Sequence, residues 1–527
     1  MSGNETNKLV KGALLLTLAG LISKILSAGY RIPLQNMSGD IGFYIYQQVY
    51  PILGMVMVLS LYGFPSAISK MSVDMKEEGK TLSFKGFYIP IFIILLGLNG
   101  ALFLFLFFNA SSLAVWVGDA RLANTYRFAS FAFLLVPFTS LMRGVFQGNY
   151  YMKPTAISQV GEQFARVFII IFAAIYIVIH GQDIYKIGQA AAMASIVGSF
   201  VAVLVLSVFF IKKKPYTKET VNIPWNYYVR TVLTLGIVAA LNHMVLLVIQ
   251  FADAFTLIPS LMDYGLTSLE AMETKGVFDR GQPLIQLGTV LGSAFALALI
   301  PTISKQKLEN DPETFYQYIQ GTLLFSFYLA IGATIGLIVI FPEANVLLFQ
   351  NDKGTVNLQI LVLSIFLCSM AITASSILQG LGHIKRTAGF IMIAFFIKWI
   401  SNQLLVPIWG ITGSAIATVL SLSMLCVVVL MELKRKLPQL KFFRRINWWA
   451  LSKATLAMIS YLIGLNYIFS LAGVTSRVLL LLYVLFIVST GGIIYVYCLL
   501  RWKAFTEKEL RMLPLAPFFI KIHKGRN

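Results

Sequence analysis

The sequence predicts an all-α polytopic membrane protein of about 14 transmembrane helices, and three observations carry that reading. Of 527 residues, 58% are hydrophobic and 12% charged, with a mean hydropathy of +0.78. So few charges cannot cover the surface of a water-soluble chain of this size. Apolar runs of about 20 residues recur from end to end, the length at which a helix crosses a bilayer, and the alternating segments of about ten residues that build a transmembrane barrel are absent. The basic residues collect in every second connection between those runs.

Taken in order, the first span covers residues 9 to 33. Lys8 and Lys11 precede Leu14 to Leu18 as in a signal peptide, but no small-residue cleavage site follows and the run continues to Tyr30, which predicts an uncleaved span. Lys24 and Arg31 lie within it. The chain then turns through Asn36, Ser38, Gly39 and Asp40 into span two, 42 to 68. An arginine in such a helix is expensive unless it faces protein or a wet cavity, so Arg31 is a functional candidate by itself. The remaining spans read 86 to 112, 125 to 147, 156 to 180, 184 to 211, 226 to 252, 281 to 303, 317 to 341, 358 to 380, 388 to 408, 411 to 431, 448 to 470 and 475 to 500.

Charge placement orients them. Lys70, Lys76, Lys80 and Lys85 follow span two, Lys153 span four, Lys212 to Lys214 and Lys218 span six, Lys305 and Lys307 span eight, and Lys385 and Arg386 span ten. Lys434, Arg435, Lys436, Lys441, Arg444 and Arg445 follow span twelve. The alternate connections mix scattered bases such as Lys275, Lys353 and Arg477 with acids such as Asp119, Asp183 and Glu343. The positive-inside rule then puts both termini in the cytoplasm. The net charge of +20 is accounted for by these loops, so it argues for membrane topology and against a nucleic-acid partner. Cys368, Cys426 and Cys498 all sit in apolar runs, as small buried hydrophobes do.

An internal repeat divides the chain. FQGNYYMKPTA, Phe146 to Ala156, recurs as LQGLGHIKRTA, Leu378 to Ala388, and the same offset carries Arg166 onto Lys398. FPSAISK, Phe64 to Lys70, is echoed by IPTISK, Ile300 to Lys305. Spans one to six (1–218) and seven to twelve (219–437) are therefore expected to form two parallel six-helix lobes. Spans thirteen and fourteen (438–500) and a basic cytoplasmic tail (501–527) lie outside the repeat. The acids Asp253, Asp263, Glu270, Glu273 and Asp279 are expected on or near the outer side, with residues 256 to 274 as an external loop containing a short helix. No GKS or GKT phosphate loop with the required preceding glycines occurs, so ATP hydrolysis by this chain is not expected, and no enzymatic constellation is expected.

LISKILSAGYRIPL in span one, FPSAISK closing span two, the DRGQP to LIPTISK block at span eight and LQGLGHIKRT after span ten resemble the multidrug/oligosaccharidyl-lipid/polysaccharide exporter superfamily. Within it the chain is similar to the polysaccharide transporter branch that holds the lipid II flippases and the stage V sporulation protein B-like proteins. The resemblance implies a V-shaped pair of lobes with alternating access, in a bacterial cell membrane. It implies a flippase for an undecaprenyl-pyrophosphate-linked saccharide, foremost the peptidoglycan precursor lipid II, working as a monomer beside the cell wall synthesis machinery. It implies no cofactor, and coupling to membrane potential, H+ or Na+. A flippase for another lipid-linked unit and a cation-coupled multidrug exporter are the alternatives.

Carried over by position, Lys24 matches a basic residue of the flippases' first helix, Arg31 their next arginine, and Arg280 a third cavity arginine. A further arginine near the start of span two is replaced here by the stretch Tyr46 to Pro51, which favours the Gram-positive branch. Such cations suit a pyrophosphate, Arg by its planar fork and Lys as a mobile point charge. Each of Arg31 and Arg280 is read either as a phosphate ligand or as an interfacial anchor, and Lys24 as ligand or structural partner. Gln47, Gln48 and Asn242 are read as lining for the sugar or as helix contacts. Glu162 and Arg166 stand four apart, as a structural pair or a coupling site. Lys398 has no acid in its own span and joins the substrate-site candidates.

Overall fold

The computed structural model describes residues 3–79, 81–217, 225–299, 311–471, 476–511 and 516–524. The IPTISK segment, Lys80, Lys218, Lys305 and Lys307 lie outside the described residues. The protein is an all-α polytopic membrane protein with about 12 long apolar helices. Lipid offers no hydrogen bonds, so the apolar runs satisfy their backbone internally as helices. Two units make up the chain, Met1–Asp279 with Ile384–Ala417, and Arg280–His383 with Thr418–Asn527.

In the first unit, α1 (Gly3–Gly29) and α2 (Arg31–Val58) are separated at Tyr30. Arg31, expected inside the first span, thus opens the second helix. The turn expected at residues 36 to 40 falls within α2 at Gly39, whose φ of 68° and ψ of −173° leave the helical region, a conformation glycine adopts without a Cβ clash. Next come α3 (Phe64–Glu77) and α4 (Ile89–Val117), the latter with Phe105 60% and Phe108 74% exposed, as befits a helix facing lipid. Span four is interrupted: α5 (Ala123–Ser130) passes through a 3-10 turn into α6 (Val136–Gly148), where Pro137 occupies the first turn and needs no donor. The helices α7 (Lys153–Ile179) and α8 (Lys186–Lys213) pack along each other.

The seventh span departs most from expectation. It is built of α9 (Trp225–Thr231), α10 (Ile237–Asn242) and α11 (Val245–Asp263), with a break at His243 and Met244. Helix persists well beyond residue 252, and α12 (Ser268–Asp279) fills most of the remainder of the expected external loop. Asp253 is consequently buried inside the helical unit. The reason is local: Phe255, Leu257, Ile258 and Leu261 continue an apolar face past Asp253. Helix α12 lies against α2, where a Cβ on Gly276 would stand 2.1 Å from the carbonyl oxygen of Asp40, so that approach requires glycine.

The second unit contains α13 (Gly281–Leu299), α14 (Pro312–Val339), α15 (Phe341–Phe349) and α16 (Thr355–Gly380). Asp311 caps α14 by accepting from the Thr314 amide at 3.2 Å. Two further segments run through Ile384–Trp409 (α17, first unit) and Ile411–Lys436 (α18). The second unit continues with α19 (Phe442–Arg445), α20 (Trp448–Leu471), α21 (Arg477–Arg501), α22 (Glu507–Leu510) and α23 (Ala516–Lys524). Helices α13, α14 and α16 pack together, and the buried hydroxyls of Ser326 and Thr373 meet at 2.8 Å between α14 and α16.

Candidate functional site

The break at Tyr30 and the kink at Gly39 place a short stretch of α2 around a fully buried guanidinium. Arg31 lies 3.9 Å from the centroid of the Tyr50 ring, a cation–π contact, and its Nη2 donates to Ser27 Oγ at 3.3 Å. The hydroxyls of Tyr30 and Tyr46 hydrogen-bond to each other, with the two rings edge to face at 6.0 Å. Among the described residues, Nε and Nη1 of Arg31 have no hydrogen-bond partner and no carboxylate lies within ion-pair distance of it. A buried guanidinium on an aromatic face, with donors not spent on a carboxylate, can receive an anion.

The other buried bases described in the first unit are ion-paired. Lys398 Nζ reaches Asp253 Oδ1 at 2.8 Å and both the backbone carbonyl and Oγ of Ser414 at 2.9 Å. Asn402 donates to the same Asp253 oxygen and to Thr256 Oγ1, each at 2.8 Å. Lys398, a substrate-site candidate in the sequence, is therefore held in a closed oxygen cage by an acid from α11. Lys275 pairs with Asp279 one turn away at 2.6 Å. Burial pushes the Asp279 carboxyl up to about 6 against the pull of Lys275. Asp279 is within electrostatic reach of both Arg31 and Lys398, so these two candidates share one buried charged belt.

Removing one member of the Lys398–Asp253 pair leaves the other buried and unpaired. Asp253→Asn and Lys398→Met are each expected to cost about 3–5 kcal/mol of stability. The double substitution should recover much of that loss, because the two effects couple. Thermal and denaturant unfolding of the four proteins in one detergent checks this double-mutant cycle.

Glu162 accepts from two arginines, Arg143 at 2.8 Å and Arg166 at 3.0 Å. Arg143 also donates to Ser158 Oγ at 3.1 Å and to the carbonyl and Oγ of Ser60 at 3.2 Å. Arg143 was not among the residues singled out in the sequence, although an arginine in the apolar run of span four meets the same criterion as Arg31. The geometry favours the structural reading of Glu162 and Arg166.

The remaining candidates are dispersed. Gln47 and Gln48 are buried on α2 with side-chain carbonyls that have no partner among the described residues, and Gln48 Nε2 donates to Tyr44 Oη at 3.4 Å. Asn242 donates to the carbonyls of Val238 at 2.7 Å and Ile384 at 3.1 Å, a helix contact at the break in span seven. Lys24 is half-buried and within electrostatic reach of His243, which stacks on Tyr62 at 4.2 Å. In the second unit, Arg280 is fully buried, with Nη1 donating to Asn351 Oδ1 at 2.6 Å and the guanidinium 5.4 Å from the Phe349 ring.

Comparison with known proteins adds a family to this geometry. Residues 9–307 match the model of the polysaccharide biosynthesis protein family. The chain is 37% identical over 521 residues to the "Uncharacterized membrane protein YabM" of Bacillus subtilis (strain 168), covering 98% of this chain and 97% of that one. It is 24% identical to the lipid II flippase MurJ of the same organism, covering 99% of each. Among solved structures, an inward closed conformation of a lipid II flippase MurJ aligns with a TM-score of 0.66 at 14% identity, over 93% of this chain and 99% of the other.

Proposed function

Because the chain belongs to the polysaccharide biosynthesis protein family, as a transporter of the multidrug/oligosaccharidyl-lipid/polysaccharide exporter superfamily, we propose that it moves an undecaprenyl-pyrophosphate-linked saccharide across the cell membrane. The cargo in this reading is the peptidoglycan precursor lipid II, carried from the cytoplasmic to the outer leaflet. The observation that carries it is Arg31, a buried guanidinium that among the described residues has two nitrogens unspent and no carboxylate partner, unlike Arg143, Arg166, Lys275 and Lys398. A pyrophosphate supplies the oxygens that such a group lacks. Gln47 and Gln48, a little over two helical turns after the kink in α2, offer amide groups for the sugar, and Lys24 adds positive charge to the path.

In this reading the fourteen spans form two repeated lobes, residues 1–218 and 219–437, that alternate access in a V-shaped arrangement, with both termini cytoplasmic. Labelling of intact cells with a membrane-impermeant thiol reagent tests the orientation. Lys353→Cys should react and Lys213→Cys should not; strong external labelling at position 213 would break the fourteen-span topology.

The engine is an ion gradient or the membrane potential, because a charged headgroup does not cross hydrocarbon cheaply and one charge moved through 100 mV is worth about 2.3 kcal/mol. Proteoliposomes loaded with lipid II, with potential, proton and sodium gradients imposed separately, test function and coupling together. Net accumulation of lipid II in one leaflet under one of the gradients is the expected result. No protein-dependent movement under any condition would overturn the flippase reading.

A further inference from the structure

We propose that the basic end of the second unit carries a site for an anionic phospholipid, separate from the transport path. A cavity of about 370 Å³ opens between α14, the last turn of α18 and α19. Its walls include Leu323, Leu430, Leu433 and Leu440. Its rim carries Lys434, Lys441 and Arg444, all three exposed, and no acidic side chain among the described residues lines it. Apolar walls under a purely cationic mouth fit a phosphate headgroup with the first carbons of its acyl chains. A soluble anion would leave the leucines uncovered, and a zwitterionic lipid would bring a cation to a cationic rim.

The depth agrees. Trp448 and Trp449, at the start of α20 and a few residues beyond Arg444, are 56% and 70% exposed. Exposed tryptophans at the end of a span sit at the headgroup level of a bilayer. The same segment holds Arg435, Lys436 and Arg445 against one acid, Glu432, which pairs with Arg435 at 3.9 Å, so the local field stays positive beyond the cavity.

The test uses the full-length protein in detergent and native mass spectrometry with phosphatidylglycerol, phosphatidylcholine and glycerol phosphate as probes. The wild type should retain phosphatidylglycerol and release the other two. Combined Lys434→Gln, Lys441→Gln and Arg444→Gln should weaken phosphatidylglycerol binding on the order of 100-fold, since each cation near a membrane surface contributes about a factor of five. Leu430→Phe, which fills the cavity and leaves the charges, should weaken it too. Because the three cations are exposed, thermal unfolding of the triple variant should match wild type. Equal retention of phosphatidylglycerol and phosphatidylcholine, equal retention of glycerol phosphate, or undiminished binding in the triple variant would each overturn the site. Lipid II binding measured on the same variants should be unchanged; its loss along with phosphatidylglycerol would make this cavity part of the substrate path and overturn the separation.

Discussion

Glu162→Gln is expected to destabilise the protein by about 3–5 kcal/mol. Two buried guanidiniums, Arg143 and Arg166, converge on this one carboxylate from α6 and α7. Glutamine keeps one acceptor oxygen but no charge, so both arginines are left buried without a counter-ion. The double variant Glu162→Gln with Arg166→Gln should be less damaged than the sum of its singles, because removing a cation relieves part of what removing the anion imposed. Unfolding in a single detergent resolves the cycle. A Glu162→Gln protein with wild-type stability and an altered dependence on the imposed ion gradient would instead make Glu162 a coupling acid, as the multidrug-exporter reading requires.

Arg31→Gln is expected to weaken binding of a pyrophosphate-linked lipid by about 10- to 150-fold, the worth of roughly 1.5 to 3 kcal/mol for one charged hydrogen bond. Arg31 has no ion pair among the described residues for the substitution to break, so folding should be little affected. Arg31→Lys should restore part of the affinity, since the charge remains while the planar fork that meets two oxygens is gone. Isothermal or scintillation binding of the three proteins, beside their unfolding curves, separates a binding loss from a folding loss. Equal affinity in all three would remove Arg31 from the site.

Much of this architecture was legible in the sequence. Apolar runs of bilayer length fixed the class, because lipid permits a continuous backbone only as helix or closed barrel. The turn before span two was legible because Gly39 is among the few residues free to take a positive φ. Span seven was less so: the break at His243 and Met244 has no proline or glycine to mark it, and the apolar face of α11 continues past Asp253. Periodicity alone reads such a segment as one helix followed by a loop.

The site was legible in its residue types and illegible in its pairings. Arg31, Glu162, Arg166 and Lys398 stood out because charge in an apolar run is costly. That Lys398 is answered by Asp253, and Glu162 by Arg143, depends on tertiary packing between helices far apart in the chain. The tyrosine cluster is hidden for another reason. Tyr30, Tyr46 and Tyr50 are ordinary residues for a membrane helix, and only the folded α1–α2 junction sets Tyr50 against the guanidinium with Tyr46 and Tyr30 in successive ring contacts behind it.

Whether an Arg31-centred site receives a lipid-linked pyrophosphate is decided by native mass spectrometry of wild type and Arg31→Gln with lipid II, an undecaprenyl-linked saccharide lacking the pyrophosphate, and a cationic dye. Saturable lipid II binding to wild type, weak binding of the other two and loss of the lipid II complex in Arg31→Gln are the expected results. Dye binding that Glu162→Gln abolishes and Arg31→Gln leaves intact, with no saturable lipid II binding to wild type, would contradict such a site.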